Sequence, residues 1–68
     1  MKIRLKRRYV DDVHDVVTYF VDGHIEEEIV NVYTGKSVAL GENPRYIISD
    51  EERILINSFQ SKEAIWLV

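Results

Sequence analysis

The stretch that decides the fold is residues 16–29, VVTYFVDGHIEEEI. Its first six residues, Val16 to Val21, are all β-branched or aromatic, and such side chains favour extended strands. Asp22 and Gly23 follow them. This pair is typical of the type I′ turn, which needs a positive φ at both of its central residues. The stretch therefore predicts a tight β-hairpin.

A two-residue turn also fixes which residues of the two strands face each other. Four apolar residues then share one face, as expected of the buried side of a sheet: Val16, Phe20, Ile25 and Ile29. Thr18, opposite Glu27, interrupts the middle of that face. The register therefore predicts an apolar face with a polar pair at its centre.

Residues 24–33 also fit a second interpretation. Three consecutive glutamates are good helix formers, and four apolar residues recur at helical spacing: Ile25, Ile29, Val32 and Tyr33. Gly35 is then placed to end such a helix. We favour the strand, and a helix over residues 24–33 is the alternative.

Beyond the hairpin, a capping box predicts one helix near residues 50–58. Ser49 can cap the first turn, and Glu52 can return a bond to the Ser49 backbone N–H. Leu55 and Phe59 then share one side of the helix. The same segment also fits a strand, and we favour the helix.

The last five residues, AIWLV at 64–68, are all apolar. They predict a final strand, in which Trp66 anchors the core. In the alternative, Ile65, Trp66 and Leu67 form an exposed edge that pairs with a second copy or with a partner protein.

The chain has 68 residues, near the lower limit for a domain that folds alone. It has no cysteine, so an apolar core must stabilise it, and association of copies is a second way to bury surface. Closely spaced turn signals indicate several short antiparallel strands. We predict one mainly β domain over residues 1–68, a small antiparallel curled sheet or barrel with a short helix near residues 50–58. The alternative is an α+β fold with a helix at 24–33.

Charge is distributed unevenly along the sequence. Five of the first eight residues are cations: Lys2, Arg4, Lys6, Arg7 and Arg8. The whole chain has nine cations and twelve acids, so the remaining residues are strongly acidic. The molecule is therefore expected to be polarised rather than uniformly acidic.

The basic segment predicts a first strand over residues 2–10. Alternation of apolar and charged residues puts four cations on one face, as a ladder that suits an anionic partner: Lys2, Arg4, Lys6 and Arg8. Tyr9 is placed to add an apolar anchor for a protein partner. In the alternative, the cations pair internally with Glu26 and Glu28 of a neighbouring strand, which would fix the register.

No pattern of catalytic or metal-binding residues stands out. His14 and His24 lie near acids, but the spacing matches no metal motif. Residues 35–37, Gly-Lys-Ser, match the end of a phosphate-binding loop, yet Val30 stands where its first glycine belongs. We therefore expect a protein that is not an enzyme and needs no metal, cofactor or small-molecule substrate.

The N-terminus lacks the apolar segment of a signal peptide, and no apolar run is long enough to cross a membrane. We expect a cytoplasmic protein. Our leading hypothesis is a small protein-interaction or regulatory module, which binds a partner or a second copy of itself through a sheet edge and the basic strand. One alternative is a nucleic-acid-binding module that uses the basic strand, and another is a structural subunit of a homo-oligomer.

Overall fold

The computed structural model describes the backbone of residues 1–66 and the side chains of residues 1–60. Four antiparallel strands, β1 to β4, form one sheet in the order in which they follow along the chain, and helix α1 comes last. The elements are β1 (Lys2–Tyr9), β2 (His14–Val21), β3 (His24–Asn31), β4 (Ser37–Glu42) and α1 (Asp50–Trp66).

The sheet is curled and does not close, so β1 and β4 are its two edges. The predicted mainly β fold, a curled antiparallel sheet with a short helix, is confirmed. The alternative helix over residues 24–33 is wrong, because β3 occupies that segment and pairs with both β2 and β4.

The central hairpin forms as the sequence predicts. Asp22 and Gly23 have φ values of 48° and 90°, the two positive angles of a type I′ turn. The register places Phe20 opposite Ile25 and Thr18 opposite Glu27. The hairpin therefore sets the alternation of the two central strands.

We call the sheet face that carries Thr18 and Phe20 the inner face, because α1 packs on it. Glu52 and Gln60 of the helix each line a pocket together with residues of this face. They are four residues on either side of Ile56, so the three lie on one side of the helix. The inner face therefore has a helical cover, and the opposite side is the outer face.

The buried core lies mostly between α1 and the inner face. Its apolar members there are Ile3, Val16, Ile25 and Ile56. Val17 is buried on the outer face, where its cross-strand neighbours are Arg7 and Glu28. The aliphatic stems of such long side chains can cover an apolar residue. The core is small, so each member contributes a large share of the stability.

The predicted capping box is present at the start of α1. The Ser49 backbone N–H donates to Oε1 of Glu52 at 3.2 Å, and the Glu52 backbone N–H donates to Oγ of Ser49 at 3.2 Å. The helix continues past the predicted end at residue 58. Ile56 is buried, while Leu55 and Phe59 are exposed.

The predicted final strand is wrong for residues 64–66, which continue α1. Ile65 and Trp66 therefore offer no sheet edge, and Leu67 lies outside the described residues. An apolar run without alternation fits a helix as well as a central strand, and here helix propagation from the Ser49 cap extends through it. Within residues 1–66, no helix is long and apolar enough to cross a membrane.

Candidate functional site

A β-bulge divides the basic strand. β1 pairs with β2, and the register shifts between Arg4 and Lys6, so that Leu5 is an extra residue without a partner. An extra residue reverses which face each later side chain points to. The predicted ladder of four cations on one face is therefore wrong.

Residues on either side of the bulge can be assigned to a face by their cross-strand partners. Lys2 and Arg4 pair with Val21 and Tyr19, and Arg7 pairs with Val17, so these three cations lie on the outer face. Lys6 and Arg8 pair with Thr18 and Val16 and lie on the inner face. The five cations of the first eight residues are thus divided between two surfaces.

Two of the outer-face cations are in ion pairs. Lys2 Nζ lies 2.5 Å from Oε1 of Glu28 and 4.2 Å above the centroid of the Tyr19 ring. The bond to Glu28 raises the pKa of the Lys2 ammonium, against the opposing effect of desolvation. Arg7 Nε lies 2.6 Å from Oδ2 of Asp15. The internal pairing with Glu28 is therefore confirmed for Lys2. Because β2 lies between β1 and β3, the Lys2 side chain reaches across β2 to make this pair.

The inner-face cations instead line an open groove of about 430 Å³. Three strands form its floor, and the segment between β4 and α1 forms its wall. The lining residues are Lys6, Arg8, Thr18, Glu27, Asn43, Arg45, Tyr46, Ile47, Ser49 and Glu52. We call this the inner groove.

Three cations contribute to the inner groove, namely Lys6, Arg8 and Arg45. None of them makes an ion pair or a side-chain hydrogen bond with any residue whose side chain the structure describes. Lys6 nevertheless lies near enough to Glu52 to contribute to lowering the pKa of that carboxyl. The groove therefore offers donors that the described side chains leave open.

The two carboxylates of the groove, in contrast, already have neutral donors. Glu27 Oε1 accepts a hydrogen bond from Nδ2 of Asn43 at 3.0 Å. Glu52 accepts bonds from the Tyr46 hydroxyl and from the Ser49 backbone. These acids hold the wall in place, and with three cations they leave the lining at a net charge of +1.

The pKa values of this wall follow from its contacts. Burial and the hydrogen bond to Glu52 together raise the pKa of the Tyr46 hydroxyl to about 12, and burial has the larger effect. Burial also opposes ionisation of Glu52, but the bonds from Tyr46 and Ser49 outweigh it and hold the pKa of Glu52 below its usual value. Around neutral pH the Tyr46 hydroxyl therefore stays protonated and donates, and the Glu52 carboxylate stays ionised and accepts.

The floor of the groove contains the hydroxyl group of a buried threonine. Thr18 is only 5% exposed and lines the groove, and its side chain makes no hydrogen bond within the described part of the chain. Among the described residues, no buried side-chain oxygen or nitrogen lacks a hydrogen-bond partner, so the oxygen of this hydroxyl must itself be open to the groove. The Thr18 hydroxyl is therefore available to a ligand or to water in the groove.

The other residues singled out in the sequence lie away from the groove. Tyr9 is exposed on the outer face, and its hydroxyl donates to Oδ1 of Asp12 at 2.8 Å. His14 Nδ1 lies 3.2 Å from Oδ1 of Asp11, and His24 pairs with a glutamate of its own strand. The structure thus brings together Lys6 and Arg8 from the predicted binding set and separates them from Lys2, Arg4 and Tyr9.

Sequence reasoning missed the residues that the loop contributes. Asn43 and Arg45 follow β4 and reach the floor only because the chain crosses the inner face on its way to α1. One signal was present, since the Thr18–Glu27 pair interrupts an otherwise apolar face. A polar pair facing a core indicates that something polar lies above it.

Comparison with known proteins gives no independent assignment: the chain matches no protein-family model, no curated protein and no solved structure.

Proposed function

We propose that this protein is a small non-catalytic interaction module that binds an acidic segment of a partner protein in the inner groove. The observation that carries the proposal is the effect of the bulge at Leu5. It directs Lys6 and Arg8 to the inner face, where Arg45 joins them, while Lys2 and Arg7 are held in ion pairs on the outer face.

The chemistry of the groove favours a carboxylate ligand. Guanidinium groups bind carboxylates in a bidentate manner, and the Thr18 hydroxyl adds a neutral donor at the floor. The exposed Ile47 side chain at the rim offers apolar contact to a neighbouring residue of the same segment. A short peptide with an acidic residue beside an apolar one suits this lining.

The charge balance also favours a protein segment over a nucleic acid. Glu27 and Glu52 reduce the net charge of the lining to +1, and the chain as a whole carries −3. Binding to nucleic acid depends on neutralising several phosphates at once, which a groove of this charge does poorly. One seated carboxylate, in contrast, would neutralise the groove.

The test compares two double variants of the same strand. Lys6→Ser with Arg8→Ser removes two groove cations, and Lys2→Ser with Arg7→Ser removes two outer-face cations for the same change in net charge. Binding of a fluorescein-labelled decapeptide of Glu, Leu and Gly is measured by anisotropy at low and physiological salt. We expect the groove variant to lose at least 10-fold in affinity and the outer-face variant to change less than 3-fold.

Equal losses in the two variants would show that the peptide responds only to net charge, and the proposal would fall. Amide chemical shifts provide the location: on addition of the peptide they should move at Thr18 and Asn43 rather than at Lys2. An oligonucleotide of ten thymidines serves as the competing ligand. The nucleic-acid hypothesis replaces this one if the oligonucleotide binds more tightly than the peptide and its affinity falls steeply with salt. The slope of log K against log salt concentration should then correspond to the release of several counterions.

A further inference from the structure

The loop between β1 and β2, residues 10–13, presents acidic and apolar side chains together. Asp11 and Asp12 are both exposed, and they lie between Val10 and Val13, which are 47% and 38% exposed. Among the residues whose side chains the structure describes, the other exposed acidic pair starts α1 and has polar neighbours on both sides. The β1–β2 loop therefore has the composition that suits the inner groove, an acid beside an apolar residue.

Hydrogen bonds hold this loop in one shape. Oδ1 of Asp11 accepts bonds from the backbone N–H groups of Val13 and His14, both at 2.8 Å. The N–H groups of Val10 and Asp11 donate to the His14 carbonyl at 3.2 Å. The Val32 N–H donates to the Val13 carbonyl at 2.8 Å and ties the loop to the connection between β3 and β4. A ligand that is ordered beforehand loses less conformational entropy on binding.

The Asp12 carboxylate is the acid of this loop that another molecule can reach. Its Oδ1 accepts a bond from the Tyr9 hydroxyl, and Tyr9 belongs to the outer face. Its Oδ2 accepts no hydrogen bond within the described part of the chain. None of the loop residues lines the inner groove. The loop therefore leaves the groove of its own chain open, and one carboxylate oxygen is open to a second copy.

We propose that the β1–β2 loop of a second copy binds in the inner groove, with Asp12 seated among the three groove cations. This inference rests on the proposed function and names a partner for it. Asp12 brings one negative charge to a lining of net charge +1. One of the two exposed valines can then contact Ile47 at the rim, which is 87% exposed. The contact is head-to-tail, because one copy contributes its loop and the other its groove.

The association is expected to be weak. A loop of four residues buries less surface than stable complexes do. Each copy also carries a net charge of −3, so whole chains repel one another at low salt. Physiological salt screens this long-range repulsion, whereas the direct contact between Asp12 and the groove cations is screened less. We therefore expect self-association in the high micromolar range of protein concentration.

Sedimentation equilibrium of the natural chain and of two single variants tests the role of Asp12. Asp12→Asn removes the charge but keeps an oxygen that can accept the Tyr9 bond, so the loop should be retained. Glu51→Gln removes one exposed charge at the start of α1 and is the matched control. We expect Asp12→Asn to weaken self-association at least about 5-fold and Glu51→Gln less than about 2-fold.

A mixture of two variants tests whether the loop and the groove meet. The double variant Lys6→Ser with Arg8→Ser keeps the loop, and Asp12→Asn keeps the groove. Neither should associate alone, whereas an equimolar mixture should form a 1:1 complex, because each variant supplies the surface that the other lacks. Circular dichroism of each variant confirms that it is folded before mixing.

The outcomes separate this inference from the proposed function. A natural chain that stays monomeric at about 1 mM, while its groove binds the acidic decapeptide, overturns the inference and leaves the proposed function in place. A mixture that associates no better than its components also overturns the inference. Failure of the decapeptide to bind, together with a monomeric chain, overturns both.

Discussion

The replacement of Ile56 by Ala is the sharpest test of how α1 is held. Among residues 50–60, Ile56 is the one buried apolar side chain of the helix, with 6% of its surface exposed. In proteins most of the stability of a helix comes from tertiary packing, so α1, with its 17 residues, depends on its contact with the sheet. Removing this contact should therefore release the helix as well as create a cavity.

The magnitude follows from the burial. Truncating a buried isoleucine to alanine costs about 2–5 kcal/mol, which includes the lost transfer free energy and the cavity. Alanine recovers a few tenths of a kcal/mol through its better helix propensity. The free energy of unfolding of a 68-residue domain is about 3–10 kcal/mol, so we expect a loss of about 3 kcal/mol to leave the protein only partly folded.

The matched control is Ile54→Ala, two positions earlier on the same helix. Ile54 is 69% exposed, so the same truncation removes little buried surface and should change the free energy of unfolding by less than about 0.5 kcal/mol. Urea unfolding followed by far-ultraviolet circular dichroism measures both variants. Equal costs for the two would refute the assignment of Ile56 as the contact that docks the helix. Because α1 carries Glu52, the Ile56 variant should also bind the acidic peptide more weakly.

Three further predictions concern the turn, the cap and the groove wall. Gly23→Ala should destabilise the domain by about 1–2 kcal/mol in urea unfolding, since Gly23 has a φ of 90°, and an unchanged midpoint would contradict the type I′ geometry. Ser49→Ala should cost about 1 kcal/mol and lower the helical signal, whereas Ser49→Asp should retain the cap. The raised pKa of Tyr46 contributes stability that is fully present below pH 10 and lost as the pH rises towards about 12. Tyr46→Phe should therefore lose less stability than the natural chain over that pH range, and an identical decline would refute the contribution of this hydroxyl.

Local signals were enough to predict the hairpin and the helix start. The Asp22–Gly23 turn determines its register through two residues, and the cap at Ser49 is closed by Glu52 three positions later. Both depend on neighbours in sequence, so both are visible there. The predicted end of the helix at residue 58 was wrong, because the apolar run after residue 63 fits either kind of element.

The groove could be predicted only in part, because two of its causes are not local. The bulge at Leu5 depends on the register in which β1 pairs with β2. In the sequence, an apolar residue between two cations fits a regular strand equally well. Arg45 reaches the groove through the path of a loop, for which the sequence offers no periodic signal. The polar Thr18 in the apolar face was visible, and its environment became clear only with the loop in place.

Because of the extra residue in β1, the cations of this one strand lie in two different environments, the outer face and the inner groove. Substitutions at Lys2 or Arg7 disturb ion pairs on the outer face, whereas Lys6 and Arg8 line the groove without an ion pair to any residue whose side chain the structure describes. The inner-face positions can therefore vary while the scaffold is retained. Libraries randomised at positions 6, 8 and 45 should yield folded proteins in high proportion, and the ligand they select can differ from clone to clone. A single unpaired leucine would in this way make the domain adaptable as a recognition scaffold.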